Sequence, residues 1–190
     1  MRVVLIGGIG AGKSAAREVF AGLGALVVDA DAIGHSVLEP GGVAHSAVAG
    51  RWPEVVADGV IDRRALGRIV FSDPEQLAEL EAITHPAIVS RIAEVVGSAP
   101  ADGLVMVELP LLDHFLGEGW ITVVVDAPDE TRRARLRARG MEDDEISMRL
   151  EVQPDRAQWL SGADFVVDNS GDRELLGAGV SRVWEALTGD

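Results

Sequence analysis

The chain has 190 residues, a hydrophobic fraction of 47% and a mean hydropathy of +0.18, enough for a self-sufficient core, and its apolar runs are too short to cross a bilayer. A net charge of −14 and a pI near 4.6 exclude the broad electropositive face that nucleic acids and anionic membranes require. Zero cysteines exclude disulfides and thiolate metal sites, and His35, His45, His85 and His114 are too widely spaced for a local zinc motif, so no structural metal is expected.

Val3 to Ile6 is a continuous apolar run ended by Gly7-Gly8, the pattern of a strand buried on both faces of a parallel sheet. The chain passes from there into a glycine loop without the long apolar stretch of a secretory signal, which predicts a cytoplasmic protein. From Lys13 onward Ala16, Val19, Phe20 and Leu23 recur at helical spacing, predicting an amphipathic helix that ends at Gly22 or Gly24. Ala25 to Val28 reads as a second buried strand, and it delivers Asp29-Ala30-Asp31 at its carboxyl end.

Residues 32–103 read as helices and, being too long for a simple crossover, as a helical substrate-binding insertion. Ser72 is placed as an N-cap ahead of Pro74, with Glu75 completing a capping box. His85-Pro86 is expected to end that helix, because the residue before a proline is pushed out of the helical region, and a further helix is expected from Pro86 to about Val96. Leu104 to Val107, Ile121 to Val125 and Phe165 to Val167 read as three more strands. Between the last two lies a second helical excursion, 128–160, which holds Arg132, Arg133, Arg135, Arg137 and Arg139. Taken alone, that cluster is either a solvated helix face or an anion-binding surface. No repeat or linker interrupts 1–190, so one domain with two insertions is expected. Trp52, Trp120, Trp159 and Trp184 lack the spacing of a base-stacking set and read as core or interface residues.

Gly7-Gly8-Ile9-Gly10-Ala11-Gly12-Lys13-Ser14 satisfies G-x-x-x-x-G-K-[ST], with a buried strand before it and an amphipathic helix after it. Glycines let successive N–H groups approach phosphates unobstructed, and the following helix adds its positive dipole end. Lys13 is then expected to reach the β- and γ-phosphates and the Ser14 hydroxyl to bind Mg²⁺. The sole lysine of the chain falls at the lysine position of the motif. Such a loop specifies a nucleoside triphosphate with magnesium and names no acceptor.

Ligands of open parallel sheets bind beyond the carboxyl ends of the strands, where Asp29, Asp31 and Glu108 are expected. A hydroxyl acceptor needs a carboxylate to orient it and take its proton, and Asp31 is assigned that role. The D-x-D pair alone points rather to a helix N-cap beside a solvated neighbour, and its placement after the second strand, opposite the phosphate loop, is what favours the acceptor role. No N-K-x-D base-recognition motif points to a GTPase.

In this order the residues resemble the dephospho-coenzyme A kinase family over nearly the whole chain. The phosphate loop, Asp29-Ala30-Asp31, Glu39-Pro40-Gly41, Val70-Phe71, His85-Pro86 and Pro110-Leu111-Leu112 carry the likeness, followed by Arg139, Arg149, Gln153, Asp164 and Asp168-Asn169-Ser170-Gly171. The resemblance implies an α/β three-layer P-loop kinase fold with a five-stranded parallel sheet, the helical insertion and a helical lid. It implies transfer of the ATP γ-phosphoryl to the ribose 3′-hydroxyl of dephospho-coenzyme A, with Mg²⁺ as cofactor and with no nucleic acid or membrane partner. ATP would be bound by Gly8, Gly10, Ala11, Gly12, Lys13, Ser14 and Ala15, together with Arg139 and Asn169, the latter near the adenine. Asp31, His85, Leu111 and Arg149 would bind the acceptor, and Asp31, Lys13 and Arg139 would be catalytic, with Arg135 one helical turn before Arg139 joining it at the moving phosphoryl group. The chain departs from the family pattern at Ala15, His35 and His114, where threonine, arginine and glutamate are usual. Two other readings remain: a kinase for a nucleoside monophosphate or shikimate, and an ATP-binding regulator that transfers nothing.

Overall fold

In chain order the described elements are β1 (Arg2–Ile6), α1 (Lys13–Gly22), β2 (Leu26–Asp29), α2 (Ala30–Ser36), α3 (His45–Arg51), a 3-10 turn (Pro53–Val55), β3 (Val56–Ala57), β4 (Val60–Ile61) and α4 (Arg63–Val70). They continue with α5 (Pro74–Ser98), β5 (Val105–Glu108), β6 (Ile121–Asp126), α6 (Asp129–Ala138), α7 (Asp143–Glu151), α8 (Arg156–Ser161), β7 (Phe165–Asp168) and α9 (Arg173–Thr188). This computed structural model describes residues 1–109 and 116–189. Leu111 and His114, named above, lie outside the described residues. Two compact units result, Met1–Val28 with Ala99–Asp190, and Asp29–Ser98.

The first unit is a three-layer α/β arrangement around a parallel sheet of order β2-β5-β1-β6-β7 among the described residues. Val3, Val4, Leu5 and Ile6 are fully buried, as their unbroken apolar run predicts for a central strand covered on both faces. Val3 and Leu5 join Ala16 and Phe20 of α1 and Leu176 and Val180 of α9 in one core layer. Period-two alternation turns Val4 and Ile6 to the opposite face. Registers pair Ile6 with Val124 and Asp126 with Asp168, so the turn after β1 and the ends of β6 and β7 meet at one edge of the sheet.

The Asp29–Ser98 unit differs from the all-helical expectation. Asp58 (φ 51°) and Gly59 (φ 77°) form a two-residue turn with both φ values positive, joining β3 and β4 in an antiparallel hairpin. Val48, Trp52, Val55, Ile61, Leu66 and Val70 form this unit's core, and the Trp52 indole N–H donates to Gln76 Oε1 at 2.9 Å.

Two helix boundaries also differ. Asp73, rather than Ser72, caps α5: its Oδ1 accepts from the N–H of Glu75 at 3.0 Å, whereas the Ser72 hydroxyl turns back to Ile69 O. A carboxylate is the stronger acceptor for first-turn amides. And α5 does not end at His85 but runs through Pro86 to Ser98. Thr84, Ile88 and Ile92 are buried at four-residue spacing, so the packed stripe holds the helix together across the backbone bond that Pro86 lacks.

Candidate functional site

Gly12 caps α1 from a left-handed conformation, φ 99°, and supplies no side-chain acceptor. The first-turn amides of α1 therefore lack the usual side-chain cap, which leaves the helix's positive end available to an anion. Lys13 bends back so that Nζ donates to Gly7 O at 2.7 Å. The exposed Ser14, with Gly12, Ala15, Arg135, Arg139 and Asn169, lines a cavity of about 420 Å³.

The glycines of the loop face protein as much as any ligand. A Cβ on Gly7 would stand 2.5 Å from Val125 O, one on Gly8 would collide with the Arg132 guanidinium, and one on Gly12 would collide with Asn169 Nδ2. Glycine is thus needed here for close packing of the loop on β6, α6 and the turn after β7.

Helical spacing divides the arginine cluster. Arg132 and Arg135 turn to the loop: Arg132 Nε donates to Ile9 O at 2.9 Å, while Arg135 donates to Ala11 O at 3.2 Å and to Asn169 O at 2.9 Å. Asn169 Nδ2 donates to the same Ala11 O at 2.7 Å. Arg133 and Arg137 bond Ser147 and Asp143 of α7 instead. Arg139 is exposed and lines the cavity, and its guanidinium has no hydrogen-bond or ion-pair partner among the described residues. The solvated-face reading therefore fails for Arg132, which is only 5% exposed. Arg132 and Gln153 were missed as loop contacts from sequence, and the i, i+3, i+7 spacing of Arg132, Arg135 and Arg139 was the signal available for one shared face.

Other assignments separate. Arg149 stands exposed on α7, paired at i, i+4 with Glu145 at 2.9 Å. Gln153 lies beyond the end of α7, and its Oε1 accepts from Ile9 N–H at 2.9 Å. Glu108, at the end of β5, pairs with Arg17 at 2.9 Å. Asp126, at the end of β6, receives a fork from Arg156, with Nη2 at 2.6 Å, and this hydrogen bond raises the guanidinium's pKa above its ordinary value.

Within the Asp29–Ser98 unit, Asp29 takes the capping half of the D-x-D pair, accepting from Ala32 N–H at 3.0 Å. Asp31 stands exposed in the first turn of α2, and His85 is half-buried in the middle of α5. The Glu39-Pro40-Gly41 signature is a tight turn: Gly41 has φ 86°, and Gly42 N–H donates to Glu39 O at 2.7 Å. A cavity of about 260 Å³ opens beside it, lined also by Ala87, Ser90 and Arg91 of α5.

No helix among the described residues is long and apolar enough to cross a membrane. The sequence model of the dephospho-CoA kinase family matches residues 1–174. A dephospho-CoA kinase of Thermobifida fusca is 40% identical over 192 residues, covering 98% of this chain and 96% of that protein. A crystal structure of a protein from Thermus thermophilus superposes with a TM-score of 0.84 at 33% identity, covering 98% of each chain. A dephospho-CoA kinase structure from Campylobacter jejuni shares the fold, with a TM-score of 0.71 at 24% identity over 99% of this chain and 97% of that one.

Proposed function

Because the chain belongs to the dephospho-CoA kinase family, we propose that Gly8 to Ala15 hold the triphosphate of ATP, that Arg139 neutralises charge on the moving phosphoryl group, and that Asp31 takes the proton of the acceptor hydroxyl. The reaction is ATP-dependent phosphorylation of dephospho-CoA, giving CoA and ADP. The bond from the γ-phosphorus to the β-γ bridging oxygen breaks, a bond from that phosphorus to the ribose 3′-oxygen forms, and the hydroxyl proton passes to the Asp31 carboxylate.

One observation supports the nucleotide half most: Lys13, Ser14, Asn169 and Arg139, whose guanidinium is unpaired among the described residues, gather about a helix end that has no side-chain cap. Loop amides and Lys13 bind the phosphates, and Asn169 borders the space proposed for adenine. The Arg139 guanidinium, with no partner among the described residues, is available to the γ-phosphoryl as its charge spreads. Mg²⁺ fits the donor set. Magnesium takes few protein oxygens beside substrate phosphates and water, and the exposed Ser14 hydroxyl at the cavity wall supplies one. Bound there, the ion would offset negative charge on the phosphates.

For the acceptor, Asp31 follows β2 by two residues, and its carboxylate has no hydrogen bond or ion pair among the described residues, which leaves it open to a hydroxyl. His85 is assigned to the acceptor on the same unit, and Leu111 and Arg149 complete the proposed set. A cytoplasmic location, where ATP is held, suits this chemistry.

Incubation with Mg-ATP and dephospho-CoA, read by mass spectrometry, is expected to yield CoA and ADP, with shikimate and AMP left unphosphorylated. Turnover of either alternative acceptor in place of dephospho-CoA would reject the assignment, and ATP binding without any transfer would return the chain to the regulator reading.

A further inference from the structure

Ile9 is held on both sides of its backbone by the same pair of side chains. Its N–H donates to Gln153 Oε1 at 2.9 Å, and its carbonyl accepts from Arg132 Nε at 2.9 Å. Arg132 Nη2 closes the ring by donating to Gln153 Oε1 at 3.2 Å, and Nη1 is steadied by Asp129 at 3.1 Å. The Arg132 side chain runs against the loop only because Gly8 has no Cβ, and a Cβ on Gly10 would stand 2.9 Å from Arg132 O.

We propose that Arg132 and Gln153 are positioning residues for the phosphate loop, binding no substrate but setting the direction of the Gly10 amide that receives it. In a trans peptide the C=O of one residue and the N–H of the next point in opposite directions. Fixing Ile9 C=O on Arg132 therefore aims Gly10 N–H away from Arg132, and it also keeps the negative end of the Ile9 carbonyl off the phosphates. A loop with glycine at 7, 8, 10 and 12 has many alternative conformations, so without the ring its amides would have to be ordered by ATP itself. The ring also ties the loop to α6 and to the turn after α7, elements separated from Ile9 by 123 and 144 residues of chain.

This inference rests on the reading of Gly7 to Ser14 as the triphosphate site. The test is ATP affinity by calorimetry, with kinetics and melting temperature, in Q153L, Q153E and R132K. Q153L removes the shared acceptor at similar volume. It is expected to weaken ATP binding roughly tenfold, the scale of one buried hydrogen-bonding group left unsatisfied, with KM for dephospho-CoA changed less than about twofold. Q153E keeps an acceptor for both donors and should recover most of the loss. R132K offers one donor nitrogen where the guanidinium offers three, and should resemble Q153L. Equal losses in Q153E and Q153L, ATP affinity in Q153L matching the wild type, or losses that track a falling melting temperature would overturn the proposal. Wild-type protein that fails to bind ATP would overturn the triphosphate reading along with it; wild type that binds, beside a Q153L that binds as well, overturns the positioning role alone.

Discussion

Asn169 donates its side-chain amide to the carbonyl of Ala11 at 2.7 Å, across 158 residues of chain, at the peptide just before Gly12 turns left-handed. The amide is buried and Gly12 leaves it no spare room. Gly12→Ala should therefore both strain a backbone at φ 99° and displace Asn169. ATP affinity measured by calorimetry is expected to drop by roughly a hundredfold or more, with far-ultraviolet dichroism unchanged. Binding within a few fold of wild type would show that the loop adapts.

Lys13→Ala should lower kcat by roughly two to three orders of magnitude, the scale of losing one electrostatic contact to the transferring group. Lys13 also holds Gly7 O, so Lys13→Arg, which keeps the charge but replaces the compact ammonium by a larger planar group, is expected to stay far below wild type. Steady-state assays on both variants decide this, and normal turnover in either removes the role.

Asp31→Asn should reduce kcat by roughly a hundredfold or more while ATP affinity changes little, because Asp31 is exposed and belongs to α2 rather than to the phosphate loop. Unaltered kcat would leave the proton without its proposed acceptor.

Pro86→Ala restores an N–H that can donate to Ala82 O in the middle of α5 and removes a ring that crowds that carbonyl. Interior proline costs about 3 kcal/mol relative to alanine, so a melting temperature several degrees higher is expected by calorimetry. A lower melting temperature would mean that neighbouring groups have been fitted to the proline.

Asp73 has its pKa lowered from the ordinary 3.8, first by the Gln76 side-chain hydrogen bond and then by the backbone N–H groups of Glu75 and Gln76. A carboxyl whose folded pKa is depressed stabilises fully above its unfolded value and loses that contribution as pH falls through the folded one. Asp73→Ala should therefore melt below wild type at neutral pH, and the gap should close in acid below about 3.8. A gap independent of pH across that range would show that the cap acts through packing alone.

Much of this was legible in the sequence. Runs such as Val3 to Ile6 and Ile121 to Val125 marked strands to within a residue, because strands buried on both faces are rich in apolar β-branched residues with few polar interruptions. The β3–β4 hairpin went unread although Asp58-Gly59 between apolar pairs was its signal. Pro86 was over-read, since a local steric rule yields when a long buried stripe crosses it. The loop motif was plain, but its grip by Arg132, Gln153 and Asn169 depends on β6 lying beside β1, a neighbour relation that local periodicity does not encode. In the D-x-D pair Asp29 forms the cap and Asp31 stands exposed beside it, which is the arrangement of the N-cap reading, and the acceptor role of Asp31 belongs to the proposal.

The chain's one lysine lies inside the best-anchored turn of its first unit. A protease that cuts only after lysine consequently has a single target in this sequence, and reaching it requires that turn to come loose. The rate of digestion becomes a gauge of how often the turn opens, slowed by nucleotide and quickened by any substitution that frees Ile9 from Arg132 and Gln153.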